Sequence, residues 1–264
     1  MNLISDLLKV YKEQGYDIRT GLNPSHFNND KCVSFTALFK NNKILCTGGG
    51  IGLKELYFFE CLFSEWQPKN IFCIGNAFGW STVSLALLNR NSDLICIDAG
   101  QEGDYNMEGI DITNKILQNY NQNARVIFGH SPEDVSKYAQ RGIDFVFIDG
   151  LHTNEQQLID WQAIFPHCHV GTVYIFHDVI QFNMEKSFAQ IASKSKCKSL
   201  ILHRTDSGMG ILYPAGFVHE NIIKSFTQEI ELIEQLPKAN VDMQYWSRRF
   251  ILRINKMYKN LIGN

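Results

Sequence analysis

No apolar run in this chain approaches the ~20 residues that a membrane-spanning helix needs. The first residues, Met1 to Lys9, acquire charge too early to form a signal-peptide core. An excess of one charge is also missing: the formal net charge is −2, so the composition calls for neither a nucleic-acid nor a membrane partner. A soluble, cytoplasmic protein is expected. The 7 cysteines, at positions 32, 46, 61, 73, 96, 168 and 197, contain no CxxC pair. An odd count without paired spacing argues against a disulfide framework and against a cysteine zinc site. Cys73 and Cys96 lie inside apolar runs and read as small buried hydrophobes. Internal repeats and low-complexity segments are absent as well.

What is present is an alternation of elements. At 264 residues there is room for one large α/β domain with appendages, or at most two small domains. Residues 4–13 have the spacing of a short amphipathic helix, and a polar, Asn-rich stretch follows through Lys31. A short strand over 43–47, the glycine run Gly48–Gly52 and a helix over 53–66 come next. Strands over 70–74, 94–97, 125–128, 143–148 and 172–176 then alternate with helices over 80–88, 109–121, 132–140, 153–165 and 184–195. Ser131 is placed to cap the third of these helices, with Asp134 three residues on. Segments 200–204 and 209–213 read as a closing hairpin around Asp206-Ser-Gly. Five successive βα units call for a parallel sheet covered on both faces. The predicted organisation is a cap over 1–47, an α/β domain over 48–215, and a helical extension over 216–264. That extension has helices near 219–235 and 246–262, the latter basic around Phe250 and Ile254. It docks on its own domain or, with Trp246, on a partner subunit, which leaves a homo-oligomer open.

The segment Ile71 to Ser81 is a strand, a glycine turn and a helix start. Glycines at 75 and 79 let backbone approach a ligand, and the helix N-terminus adds free N–H groups. The next strand ends in Asp98, placed to accept from the hydroxyls of a nucleoside ribose. The spacing is GxxxG with Ala77 inside it, not the GxGxxG that makes room for a pyrophosphate, which disfavours a nicotinamide dehydrogenase. Gly48–Gly52 lacks the Gly-Lys-Ser/Thr of a phosphate loop and reads as a flexible turn or a lid segment.

The turn Ile74-Gly-Asn-Ala-Phe-Gly79, Cys96-Ile-Asp98, Phe128-Gly-His-Ser131 and Phe147-Ile-Asp-Gly-Leu-His152 together resemble the class I S-adenosylmethionine-dependent methyltransferases over residues 50–213. With Phe176-His-Asp178 they look most like the metal-assisted small-molecule O-methyltransferases, the branch that includes the macrolide sugar enzymes. The resemblance implies a Rossmann-like, mostly parallel seven-stranded sheet with a terminal antiparallel hairpin. It implies cofactor contacts from Gly75, Asn76, Ala77, Gly79, Trp80 and Ser81, ribose binding by Asp98, adenine contacts from His130 and Ser131, and Asp149 nearby. One position departs from the pattern: Cys73 stands where an acidic residue usually organises the cofactor's amino end.

The ends of the strands at 143–148 and 172–176 carry Asp149, His152, His177 and Asp178. At the C-terminal edge of a parallel sheet these groups can share one crevice. Asp149 and Asp178 suit a hard divalent ion such as Mg²⁺, and His177 as a third ligand would favour Mn²⁺ or a softer metal. His152 is the candidate general base for an acceptor hydroxyl, with Asp149 its catalytic neighbour. The plainer alternatives are that Asp149 caps the following helix and that His177 satisfies a buried carbonyl. Asp144 reads as surface, and Glu155 and Asp160 as solvated helix residues. The expected activity is methyl transfer to a small-molecule hydroxyl. The rival is a methyltransferase-like binding protein that has lost the reaction, a reading prompted by Cys73 and Ala77.

Overall fold

The computed structural model describes residues 2–19, 37–47, 50–101, 106–121, 123–228, 251 and 254. The chain separates into two compact units, Met1–Thr227 and Gln228–Asn264, and every described strand lies in the first. Helix α1 (Leu3–Glu13) is capped by Asn2, whose side-chain oxygen accepts from the Ser5 N–H at 3.1 Å. Its Leu3, Leu7, Val10 and Tyr11 recur at helical spacing and are buried. Three short strands, β1 (Asp17–Arg19), β2 (Ala37–Lys40) and β3 (Lys43–Thr47), form a separate antiparallel sheet in that order. Only β3 is legible in the sequence. β1 falls in the polar stretch, where three residues are too few to show alternation and the partner strand is distant.

Helix α2 (Leu53–Glu65) leads into the main domain. There follow β4 (Asn70–Ile74), α3 (Trp80–Leu88), β5 (Asp93–Asp98), α4 (Asn106–Tyr120), β6 (Ala124–Phe128) and α5 (Val135–Tyr138). Next come β7 (Ile143–Ile148), α6 (Asn154–Ile164), β8 (Cys168–Phe176), α7 (Glu185–Ser195), β9 (Lys198–Leu202), β10 (Met209–Tyr213) and α8 (Glu220–Ser225). The seven-stranded sheet has the order β6-β5-β4-β7-β8-β10-β9, which is the expected Rossmann-like arrangement. Strands β4 to β8 pair in parallel, whereas β10 pairs antiparallel with both β8 and β9. The hairpin therefore folds back so that its second strand, not its first, joins the sheet. Of the helical extension, the helix expected near 219–235 is the short α8, which ends at Ser225, with 229–235 outside the described residues; the expected helix over 246–262 with Trp246 and Phe250 lies outside them too, positions 251 and 254 excepted.

Alternation along the central strands divides the core in two. Phe145 and Phe147 point to the α2 side, where Phe63 and Phe59 meet them edge-on at 5.1 and 5.8 Å. Val146 and Ile148 point to the other face and share a core with Trp161, Tyr174 and Phe176. Cys73 and Cys96 lie opposite each other in β4 and β5, fully buried, as expected of structural thiols. One element differs from expectation: α5 is a four-residue turn of helix rather than a helix over 132–140, and Ser131 does not cap it. The Ser131 hydroxyl instead donates to Asp160 Oδ1 at 2.6 Å, and the Asp134 carboxylate accepts the His130 N–H at 2.9 Å.

Candidate active site

The chain leaves β4 through Gly75, whose φ of +93° is open to glycine and costly to other residues. A Cβ here would lie 1.9 Å from the Asp149 carbonyl oxygen, so the turn after β4 is pressed against the end of β7. Gly79 has φ +89° and would place a Cβ 2.2 Å from Thr113 Oγ1. Asp98 organises the turn between them: its Oδ2 accepts the N–H groups of Asn76 at 2.6 Å and Ala77 at 3.1 Å, and its Oδ1 accepts that of Gly100 at 2.7 Å. A carboxylate offers about four lone-pair sites, so Asp98 retains acceptor capacity. Asn76 is buried, and its Nδ2 donates to the Ala77 carbonyl and to Thr113 Oγ1. Its Oδ1 has no hydrogen-bond partner among the described residues. Such an orphaned acceptor fits a cationic donor supplied by a ligand.

Trp80 and Ser81 occupy the first turn of α3 and are buried, Trp80 with its ring 4.8 Å from that of Tyr11. The Tyr11 hydroxyl donates to the Phe78 carbonyl at 2.7 Å, so α1 braces the turn from outside the sheet. Beyond β6, His130 is exposed and stands edge-on to Phe128 at 5.5 Å. Ser131 and Gln156 both donate to Asp160 Oδ1. Asp160 is thus buried rather than solvated, because its helix face turns toward the Ser131 segment, and burial raises its carboxyl. Glu155 is exposed, as expected. Asp144 is half-buried and accepts the N–H groups of Lys69 and Asn70.

At the ends of β7 and β8 the ladder continues past the strands: Asp149 N–H donates to the Ile74 carbonyl and His177 N–H to that of Ile148. These bonds hold both side chains over the crevice. The helix after Asp149 is capped by Thr153, whose side chain accepts from Gln156 N–H, so Asp149 is not the cap. His152 Nε2 lies 3.4 Å from Asp149 Oδ1 and 3.1 Å from Asp178 Oδ2. His177 Nδ1 faces the same two oxygens at 3.1 and 3.2 Å. The other nitrogen of His177, Nε2, lies 3.0 Å from Glu55 Oε2. Glu55 also accepts from the Gly52 N–H and from the Ser207 N–H and hydroxyl. The His152 ring stacks on Phe182 at 4.4 Å.

Burial would raise Asp149, but the imidazoles of His177 and His152 outweigh it and hold the carboxyl well below the usual range. Glu55 follows the same balance: burial raises it, and His177, Ser207 and Gly52 bring it below its ordinary value. Burial disfavours a charged His177, yet the surrounding Asp149 and Glu55 carboxylates raise it well above 6.5. The bond to Asp149 raises His152 against its partial burial.

One ligand atom each from Asp149, His152 and Asp178 lies within 4.8 Å of the others, a group able to hold a metal ion. The expected set of Asp149, His177 and Asp178 is brought together as well, so two imidazoles flank one pair of carboxylate oxygens. Two carboxylates with an imidazole nitrogen form a mixed donor set that suits a mid-series divalent metal better than Mg²⁺. Glu55 is the member of this cluster that sequence reasoning missed. The signal was available: an acidic residue on the buried face of α2, among Leu56, Phe58, Phe59 and Leu62, is a buried charge that needs a partner.

Residues 72–179 match a family described as a methyltransferase domain. Solved structures share the fold. An O-methyltransferase from Bacillus cereus, in complex with SAH, is 18% identical at a TM-score of 0.51, covering 62% of this chain and 82% of its own. A methyltransferase from Geobacter sulfurreducens is 12% identical at 0.52, covering 62% and 80%. A protein assigned as an O-methyltransferase from Klebsiella pneumoniae is 14% identical at 0.52, covering 81% and 90%. No curated protein matches the sequence.

Proposed function

Because residues 72–179 match a methyltransferase domain, we propose that this chain moves a methyl group from S-adenosylmethionine to a hydroxyl of a small-molecule acceptor. The observation that carries the reading is the convergence of Asp149, Asp178 and His152 at the strand ends, with the Gly75 turn pressed against Asp149. The SAH held by the Bacillus cereus structure supports the choice of cofactor. When bound, the cofactor supplies an activated methyl on a sulfonium, and a divalent ion supplies Lewis-acid charge at the acceptor oxygen.

The chain's own groups do the rest. Gly75, Asn76, Ala77 and Gly79 bring backbone up to the cofactor, over the helix start at Trp80 and Ser81. Asp98, already fixed by three N–H groups, turns its remaining acceptor capacity to the ribose. His130 and Ser131 border the adenine side. Asn76 Oδ1 takes over the part of the carboxylate that Cys73 replaces, accepting from the cofactor's amino group. Asp149 and Asp178, with His177, hold the ion. His152 would take up the hydroxyl proton and become an imidazolium as the methyl group passes from the cofactor's sulfur to the acceptor oxygen, which leaves an ether and S-adenosylhomocysteine. Holding acceptor and cofactor in line supplies much of the rate, and the base adds about 10²–10⁴-fold.

The partner is a small molecule, and among the described residues no helix is long and apolar enough to cross a membrane. Calorimetric titration of S-adenosylmethionine and S-adenosylhomocysteine into metal-stripped protein, repeated with Mg²⁺ and Mn²⁺, tests the reading. Micromolar nucleoside binding with a separate metal isotherm is expected. Silence for both nucleosides in every condition would overturn it in favour of a fold that has lost the reaction.

A further inference from the structure

Two imidazoles face one pair of carboxylate oxygens, and their distances to it, 3.1 to 3.4 Å, do not separate their roles. Their surroundings do. We propose that Glu55 is a positioning residue that divides the labour between them. It fixes His177 as a metal ligand through Nδ1 and leaves His152 as the proton acceptor. This rests on the metal-assisted reading of the same site. It adds that the ion is one that accepts mixed nitrogen and oxygen donors, of the Mn²⁺ or Zn²⁺ kind rather than Mg²⁺.

An ionised Glu only accepts hydrogen bonds. Its bond to His177 at 3.0 Å therefore requires a hydrogen on Nε2, so a bound ion can displace a proton only from Nδ1, whose lone pair it then takes. Nδ1 is the atom that faces Asp149 Oδ1 and Asp178 Oδ2. Glu55 cannot turn away from this duty. Its Oε2 also accepts from Gly52 N–H at 2.6 Å at the start of α2, and its Oε1 accepts from Ser207 N–H at 2.9 Å in the β9–β10 connection. Two backbone donors from separate elements thus set the plane of a carboxylate that is 1% exposed. A carboxylate behind a ligating imidazole is the usual means of fixing which nitrogen meets the metal. Among the described residues His152 has no such anchor: its side chain is 29% exposed and is stacked on the exposed Phe182, which leaves it placed to move a proton. Glu55 also lies outside residues 72–179, so this part of the site is brought in by the helix that precedes the methyltransferase domain.

The test uses the full chain, with Zn²⁺ and Mg²⁺ as probes and S-adenosylhomocysteine binding as the control for an intact fold. Wild-type protein is expected to bind Zn²⁺ at least about tenfold more tightly than Mg²⁺. Long-range ¹⁵N–¹H correlation of the Zn²⁺-loaded protein is expected to show His177 protonated at Nε2. In Glu55→Ala, with that anchor gone, Zn²⁺ affinity is expected to fall by about 10- to 100-fold, with nucleoside affinity within about twofold of wild type. Unchanged Zn²⁺ affinity in a Glu55→Ala protein that still binds the nucleoside would overturn the proposal. So would a Zn²⁺-loaded wild type with the hydrogen on Nδ1 of His177, a measurement that needs no variant to fold. Nucleoside binding without any Zn²⁺ isotherm would sink this inference alone, whereas failure of nucleoside binding in wild type would sink the transferase reading itself.

Discussion

Single positions in this protein carry constraints that chemistry can check one at a time. Gly75 combines a positive φ with a Cβ position 1.9 Å from a backbone oxygen, so Gly75→Ala must move either β4 or β7. A loss of about 3 kcal/mol or more is expected in urea unfolding, together with loss of nucleoside binding. His152→Ala touches only the crevice side of the cluster. It is expected to lower methyl transfer by about 10²–10⁴-fold while nucleoside binding measured by calorimetry stays near wild type; wild-type turnover would remove His152 from the mechanism. Asp160 offers a test by pH. Burial raises its carboxyl in the folded state, so the protein loses stability as pH rises from the unfolded value through the folded one. Asp160→Asn keeps an acceptor for Ser131 and Gln156 and carries no charge. Its melting temperature relative to wild type is therefore expected to climb with pH above about 4 and then level off. A difference that shrinks with rising pH would contradict the buried-charge account. At this scale Asp149, His152 and Asp178 were legible because each follows an apolar strand run. Glu55 and Asp160 were not, because periodicity marks a face as buried without saying which distant group meets it.

Among the elements, the N-terminal helix is more than a cover. Through Tyr11 it reaches the Phe78 carbonyl and the Trp80 ring, so α1 supports the turn on which the cofactor reading depends. Tyr16, just ahead of β1, and Lys40 at the end of β2 both reach Glu108 Oε1 at 3.1 Å and tie the small sheet to α4. Tyr11→Phe would leave a buried carbonyl without its donor. It is expected to cost about 1–3 kcal/mol in urea unfolding and to weaken nucleoside binding, since the turn loses its outer brace. Intact affinity in a destabilised Tyr11→Phe would confine α1 to stability. Strand and helix boundaries from β4 to α7 were legible within a few residues, because each is long enough to show its period. The exceptions are short. β1 has three residues and α5 has four, and both are decided by pairing or side-chain bonds made elsewhere.

For the molecule as a whole, linkage turns the functional proposal into a stability measurement. A ligand that binds only the folded state at a hundredfold its Kd adds about 2.7 kcal/mol. S-adenosylhomocysteine at that excess is expected to raise the melting temperature by roughly 5–10 °C, and no shift would argue against a nucleoside site. By itself the sequence determined the class of fold, since five βα units in succession close only as a parallel sheet with helices on both faces. It also determined that the glycine turn, Asp98 and the acidic and imidazole residues after β7 and β8 would collect at the C-terminal edge, because strand direction places them there. Three matters were left to the tertiary structure: the insertion of β10 between β8 and β9, the bracing of the Gly79 turn by α1, and the arrival of Glu55 behind His177. Each joins residues far apart in the chain. Local periodicity carries no record of such contacts, which exist only once burial has paired a group on one element with the partner it needs on another.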